Sequence, residues 1–515
     1  MRQLDTEAAL RRFQKDESSA FAGRTTKAFL PESIDEIPGI MRGAQEAGET
    51  LTLRAAGTSI TGAPVPTAGG WLLSTERLRN ISKFPLPPLS QDPQAIRGPD
   101  YSFLLLEEAK MAVVPGGLRL FELSQSLERY RLSYPPDPTE LSAMIGGTIA
   151  TNASGARSFH YGATRKWVEG LLVVFPNGEF TWIHRGDYVA EENELPLPRE
   201  SGAASIALPE DYPVVETKNA AGLYLRSGMD LVDLFIGSEG ILGVIAGAIV
   251  RLTDRPQGVI QTAAFFPGEE AAYSFADTLR ADGGPLSIEY FDPDAIDFMR
   301  DHYPDLPPGR QSCVLFEIEP AARTNGNPYP SPGELEKWIA NLRAAGSTEN
   351  WSVGNDDVAA MKEFRHSLPE SVNQWVAGRK GKLGTDLAVP GEYFRELCIA
   401  YDRARERERS RAPRSVLFGH LGQFHLHLNF LPASDEELAE ARRRYLDLAR
   451  YAVSLGGTVS AEHGVGKKRL VDEDGVSRPY LYYMLGDTGV NAIRRVKAAL
   501  DPGHILNPDT MIPKD

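Results

Sequence analysis

From residue 256 onward, six segments follow one another in an order that few folds accommodate. "GVIQTAAFFP" reads as a strand and "GEEAAYSFADTLRADG" as an amphipathic helix stopped by glycine. "LSIEYF" and "SCVLFEIE" read as two more strands. "SPGELEKWIANLRAAGS" is a helix with Pro332 early and Gly346 at its end, and "NWSV" is a closing strand. The order β-α-β-β-α-β is the split βαβ unit. The Pro/Gly/Asn-rich "AARTNGNPYPSPG" inside it is expected to be a surface loop.

The first half is punctuated by glycine and short strands, not by a regular βαβ series. "LTLRAAGTSITGAPVP" reads as a strand entering a tight loop, and "LLVVFPNGEFTWI" as a hairpin about Asn177-Gly178. "GILGVIAGAIVRL" is expected to be a strand pair. Together the two halves predict an α+β protein.

With 515 residues the chain has room for two to four domains at roughly 150 residues each. A hydrophobic content of 42% and a charged content of 24% support a full core and argue against disorder. The net charge of −15 argues against nucleic acid or an anionic membrane as a main partner. Two cysteines, Cys313 and Cys398, cannot build a disulfide framework or ligate an iron–sulfur cluster, and a cytoplasmic location is expected. The N-terminus has no apolar core of a secretory signal. The greasiest stretch, "DLVDLFIGSEGILGVIAGAIVRL", is interrupted by Asp233 and Glu239, so no transmembrane segment is expected.

Three small-residue tracts can approach a flat or phosphorylated ligand closely. In "RAAGTSITGAP", Gly57, Thr58, Ser59, Thr61 and Gly62 form a loop whose N–H groups can converge on an anion. It has neither the P-loop ending nor the dinucleotide fingerprint. The second tract, Pro135 to Gly162, carries Gly146-Gly147 and the run Thr151, Asn152, Ala153, Ser154, Gly155. The third, "GSEGILGVI", lacks the strand-to-helix context of a Rossmann motif.

The stretch "FGHLGQFHLHLNF", Phe418 to Phe430, alternates as a strand does, with His425, His427 and Asn429 on one parity and Leu426, Leu428 and Phe430 on the other. His420 and His427, with the distant Glu462, make a two-imidazole, one-carboxylate set suited to Zn²⁺, Mn²⁺ or Fe²⁺. The same residues would also serve to satisfy buried hydrogen bonds. Glu462 and His463 are neighbours and cannot point the same way on a strand, so one can bind metal while the other faces substrate. Arg365, in "FRHSLPESVNQWVAGRKGK", has the planar fork that suits a carboxylate. The helix "SDEELAEARRRYLDLARYAVSLGG" opens on a Ser434/Glu437 capping box.

Read in order, "RAAGTSITG", "IGGTIATNASG", "GSEGILGVI", "GHLG", "LHLNF", "SAEHGVG" and "LDPGHILNP" resemble the FAD-linked D-2-hydroxyacid dehydrogenases of the vanillyl-alcohol-oxidase-like superfamily, over roughly residues 25 to 512. The resemblance implies a bipartite FAD-binding domain of two α+β subdomains (1–255) and a ferredoxin-like cap with the metal-site segments (256–485). A tail (486–515) returns to the FAD domain. It implies non-covalent FAD, since the first loop lacks the histidine of covalent relatives and only His160 stands near. Gly57, Thr58, Ser59 and Gly62 would hold the pyrophosphate. Pro136, Thr139, Gly146, Gly147, Thr151, Asn152 and Gly155 would flank the flavin ring, with Ile245 at the adenine end and Asn507 near the flavin. His420, His427 and Glu462 would hold a divalent metal, His463 would be the base, and Asn429 and Arg365 would touch substrate. The implied reaction oxidises a D-lactate-like 2-hydroxy acid to the keto acid, with an electron-transfer flavoprotein, quinone, cytochrome or oxygen as acceptor. A homodimer is one option for assembly.

Two departures stand out. "GQFH", Gly422 to His425, replaces the usual "GDGN", so His425 can replace or join a ligand. Lys382 lies two residues upstream of the register of the lysine often found there, which leans away from 2-hydroxyglutarate. Rival readings are a metal-independent phenol or alcohol flavin oxidase on the same scaffold, a zinc hydrolase, and a non-catalytic flavin or metal binder.

Overall fold

Strand Leu51–Arg54 ends where the first glycine loop begins, and it forms one edge of a four-stranded sheet with Trp71–Ser74, Lys27–Leu30 and Arg2–Leu4. The computed structural model of the chain describes residues 1–513 except 19, 90, 199–203, 257, 320–331, 354–357 and 407–411. The second sheet has six antiparallel strands in the order Phe180–His184, Val168–Val174, Val244–Arg251, Met111–Pro115, Ser102–Leu106, Gln94–Arg97. Leu171 and Val173 face one core while Leu172 and Val174 face another, which is why this run is apolar at both parities. "LLVVFPNGEFTWI" is a hairpin; its loop spans 175–179, with Gly178 at φ 88° donating to Phe175 O.

One expectation fails here. "GILGVIAGAIVRL" is not a strand pair but a single strand, Val244–Arg251, in the middle of the sheet. Its glycines mark close approach, not a turn: a Cβ on Gly247 would lie 3.3 Å from Val114 O and 3.4 Å from the Trp182 ring.

The second half forms an eight-stranded sheet. Its first four strands run Glu349–Val353, Ile260–Phe266, Ser312–Ile318, Pro285–Phe291, all antiparallel, which is the spatial order a split βαβ unit produces. The helices Glu269–Asp282 and Pro332–Ala344 stand where the sequence placed them, and Gly283 ends the first in the left-handed region. The short helix Pro293–Met299 between two of the strands was not anticipated. The segment "AARTNGNPYPSPG" falls largely outside the described residues.

The sheet continues from Pro285–Phe291 into Arg414–His420 and His425–Leu431. The histidine stretch is therefore a hairpin and not one strand: Leu421–Gln423 and Phe424, at φ 55°, turn the chain, and His420 sits directly opposite His425. Helix Asp435–Ser454 follows, with Ser434 Oγ accepting from Glu437 N at 3.2 Å and Glu437 Oε2 accepting from Ala433 N at 2.7 Å.

Many contacts join the halves, two sets of them at the glycine tracts. Ile505 O accepts from Leu51 N at 2.7 Å, and Asn507 N donates to Leu51 O at 3.1 Å, adding the C-terminal tail to the edge of the first sheet. Arg157, in the second glycine tract, grips Glu317 of the eight-stranded sheet through Nε (2.8 Å) and Nη2 (3.2 Å), and Ser287 adds a bond to the same carboxylate. Burial works to raise the pKa of Glu317, but the Arg157 charge and hydrogen bonds hold it below the usual range. Arg157→Met leaves a buried carboxylate without its cation, which costs about 3 kcal/mol or more. A lowered urea midpoint at pH 7 is the expected result, with Glu317→Gln in the same background recovering part of it.

Candidate active site

The three glycine tracts line a single cleft of about 360 Å³, in the range of a small-molecule site. Gly57, Thr58, Ser59 and Ile60 form one wall. Among the described residues nothing accepts from their N–H groups, so four donors stand ready for an anion. A Cβ on Gly57, at φ 83°, would overlap the Arg54 guanidinium. The first turn of helix Ile145–Ala150 brings Gly146 and Gly147 to the cleft with Thr139, Thr151 and Ser154, and Ile245 and Val244 close it. Asn507 ties the walls together: Oδ1 accepts from Leu53 N at 2.6 Å and Nδ2 donates to Glu239 O at 2.7 Å.

Four residues expected at the cofactor stand behind the cleft. Gly62 N donates to Asp16 Oδ2, and a Cβ there would strike the Phe21 ring. Gly155 has no room for a side chain against Asp137 O, and Asn152 is held by Asn219 O and Arg165 N. Pro136 does not line the cleft. These positions shape the walls without forming them. His160 meets Tyr161 edge-on and likewise lies off the cleft.

At one end of the cleft stand His420, Glu462 and His463. His420 Nε2 is 3.0 Å from Glu462 Oε2, and His427 Nε2 is 3.1 Å from Oε1. The outer nitrogens are fixed: His420 Nδ1 faces Glu289 Oε1 at 2.7 Å, and His427 Nδ1 donates to Thr385 O at 3.0 Å. Both Nε2 atoms and the carboxylate thus converge, with ligand atoms of His420, His425, His427 and Glu462 within 4.8 Å of one another. Burial works to raise the Glu462 pKa, but the charges of His420 and Lys218 outweigh it and hold the carboxyl well below the usual range. Burial pushes Glu289 up, yet His420 and Arg365 bring it down to about 2. His425 goes the other way: burial, with Lys218 nearby, lowers it to about 3.

His463 is the most open of the group, its side chain 31% exposed, with Nδ1 3.2 Å from Asp386 Oδ2. Asp386 also accepts from Ser460 Oγ and the backbone N–H of His463, which pins the "SAEHG" loop. Arg365, on helix Val358–Val376, does not line the cleft either; its Nε lies 3.1 Å from Glu289 Oε2, and among the described residues neither Nη meets an acceptor. Asn429 does not line the cleft: its amide donates to His427 O at 3.3 Å and its oxygen lies over Gly384. Lys218, Glu289 and Asp386 were absent from the sequence reading. Each is a lone charged residue in unremarkable sequence, and only the fold brings it to the histidines.

The "FAD binding domain" family matches residues 26–184, and the "FAD linked oxidases, C-terminal domain" family matches residues 255–511. The chain is 26% identical to the glycolate oxidase subunit GlcD of Bacillus subtilis, covering 99% of this chain and 94% of that one. It is 24% identical to a D-lactate dehydrogenase of Archaeoglobus fulgidus (94% and 90% covered) and 24% identical to a D-2-hydroxyglutarate dehydrogenase of Stutzerimonas stutzeri (97% and 94%). In fold it is similar to an alkyldihydroxyacetonephosphate synthase, at a TM-score of 0.63 and 16% identity, over 98% of this chain and 82% of that one. No helix among the described residues is long and apolar enough to cross a membrane. An α+β chain with a glycine-walled cleft in its first half and an oxidase-type second half belongs to the FAD-linked oxidoreductases.

Proposed function

We propose that the protein oxidises a D-lactate-like 2-hydroxy acid to its keto acid, with FAD in the glycine-walled cleft and a divalent cation at His420, His427 and Glu462. The observation that carries this reading is the placement of His420, Glu462 and His463 in the wall of the cleft that the glycine tracts form. The relatives' names, glycolate oxidase subunit and D-lactate and D-2-hydroxyglutarate dehydrogenase, agree with it. Residues 1–255 serve as the FAD-binding part, 256–485 as the cap and 486–515 as the returning tail.

The N–H groups of Gly57, Thr58 and Ser59, which meet no acceptor among the described residues, fit a pyrophosphate, and Gly146 and Gly147 bring bare backbone to the cleft lining, where a flat ring can approach closely. When bound, FAD supplies a hydride acceptor for C2 of the substrate, and the cation supplies charge that acidifies the substrate hydroxyl. The protein's share is position and proton transfer. Asp386 accepts the Nδ1 hydrogen of His463 and leaves its Nε2 lone pair to take the hydroxyl proton. Arg365, paired with Glu289 through Nε behind His420, would turn its Nη groups to the substrate carboxylate. Asn429 holds the His427 backbone, so its part is support for that strand.

Anaerobic mixing of the yellow protein with D- and L-2-hydroxy acids tests this reading. Stoichiometric bleaching by one or more D-acids is expected, and a flavin that no hydroxy acid bleaches would refute it. The flavin seat has its own test. Asn507→Leu strands the Leu53 N–H and the Glu239 carbonyl, a loss of two buried hydrogen bonds that raises the FAD dissociation constant roughly tenfold to a hundredfold. Flavin fluorescence released on dilution measures it.

A further inference from the structure

A ring of polar contacts runs behind the histidine cluster. Glu462 Oε2 accepts from Lys218 Nζ at 2.7 Å, and the same ammonium lies 3.1 Å from His425 Nδ1. His425 Nε2 lies 2.9 Å from Asp386 Oδ1, and Asp386 Oδ2 lies 3.2 Å from His463 Nδ1. His463 follows Glu462 in the chain, which closes the ring. An ammonium only donates and a carboxylate only accepts. The partners therefore fix His425 as the tautomer with its hydrogen on Nε2 and its lone pair on Nδ1 engaged by Lys218.

This arrangement keeps His425 out of the ligand set. Its Nε2 is turned away to Asp386, and its Nδ1 is 3.9 Å from Glu462 Oε2 with Lys218 bonded to both. His420 and His427 meet the two carboxylate oxygens at 3.0 and 3.1 Å. Lys218 also lines a second cavity, of about 430 Å³, bounded by the segment from Tyr212 to Arg226. Without its bond to His425, the flexible lysine stem has open space into which to swing away from Glu462.

We propose that His425 is a positioning residue and not a cation ligand: it ties Lys218 to Asp386 and so holds Glu462 and His463 in one frame. This rests on the reading that Glu462 binds a divalent cation and that His463 takes the proton. An asparagine can reproduce both of its bonds, with Oδ1 accepting from Lys218 and Nδ2 donating to Asp386; a leucine reproduces neither.

The test uses the FAD-loaded protein, with Mn²⁺ followed by electron paramagnetic resonance and Zn²⁺ by competition. His425→Asn is expected to bind Mn²⁺ within about threefold of wild type, whereas His420→Ala binds it about a hundredfold more weakly or worse. His425→Leu is expected to slow flavin reduction by the hydroxy acid that reduces the wild type, about tenfold or more, with His425→Asn restoring it. Lys218→Met breaks the same ring from the other side and carries the prediction if the leucine variant does not fold. The double variant should be no slower than either single one. In ¹⁵N spectra the His425 ring is expected to show its hydrogen on Nε2. A loss of Mn²⁺ in His425→Asn as large as in His420→Ala, or a hydrogen on Nδ1, overturns the proposal while the cation reading stands. A wild-type protein that binds neither Mn²⁺ nor Zn²⁺, or an active His463→Ala, overturns the parent reading and this one with it.

Discussion

His463→Ala protein is expected to stay yellow and to lose flavin reduction by a D-2-hydroxy acid about a thousandfold, the usual worth of a positioned general base. The side chain can be removed without stranding a buried group of its own, because it is the most open imidazole of the cluster. Asp386 keeps the Ser460 hydroxyl, the backbone N–H bonds and His425 when the ring is gone, so the loop retains its anchor. Flavin content and the thermal midpoint should therefore change little while the reductive half-reaction collapses. Stopped-flow absorbance under anaerobic conditions separates the two. Reduction at the wild-type rate would remove His463 from the role of base and leave the cleft and its flavin untouched.

Glu462→Gln is expected to cost roughly a hundredfold or more in the same reaction, since it withdraws the one carboxylate whose two oxygens meet His420 and His427. Incubation with a chelator should reproduce the loss reversibly, and added Zn²⁺ or Mn²⁺ should restore the wild type but not the glutamine variant. The physical reason is charge. A carboxylate among four imidazoles and Lys218 is anionic at neutral pH and attracts a dication, whereas the amide leaves Lys218 facing a neutral group. Full activity in exhaustively chelated protein would sink the cation reading and favour metal-independent flavin oxidation on the same scaffold.

The split βαβ unit was legible because its helices and strands differ in period and its helices are closed by glycine, as at Gly283 and Gly346. The three glycine tracts, which the fold brings to one cleft, were legible as small-residue runs, and a left-handed position such as Gly57 favours glycine. The histidine hairpin was not, because its reversal uses Phe424 in a left-handed conformation where sequence offers no turn signal. The run "GILGVIAGAIVRL" misled in the opposite direction: read as a strand pair, it holds one long central strand whose Gly247 admits its neighbours. His420, His427, Glu462 and His463 were found as residue types in a pattern. Their partners Lys218, Glu289 and Asp386 were invisible because charge at one position says nothing about a contact 244, 131 or 77 residues away.

The Asn507 bridge makes two distant stretches share one anchor. A single amide holds Leu53, in the strand that enters the first glycine loop, and Glu239, in the third tract. Local fraying of the tail releases both stretches together, so deuterium uptake at the Leu53 amide should rise in step with that of the tail itself.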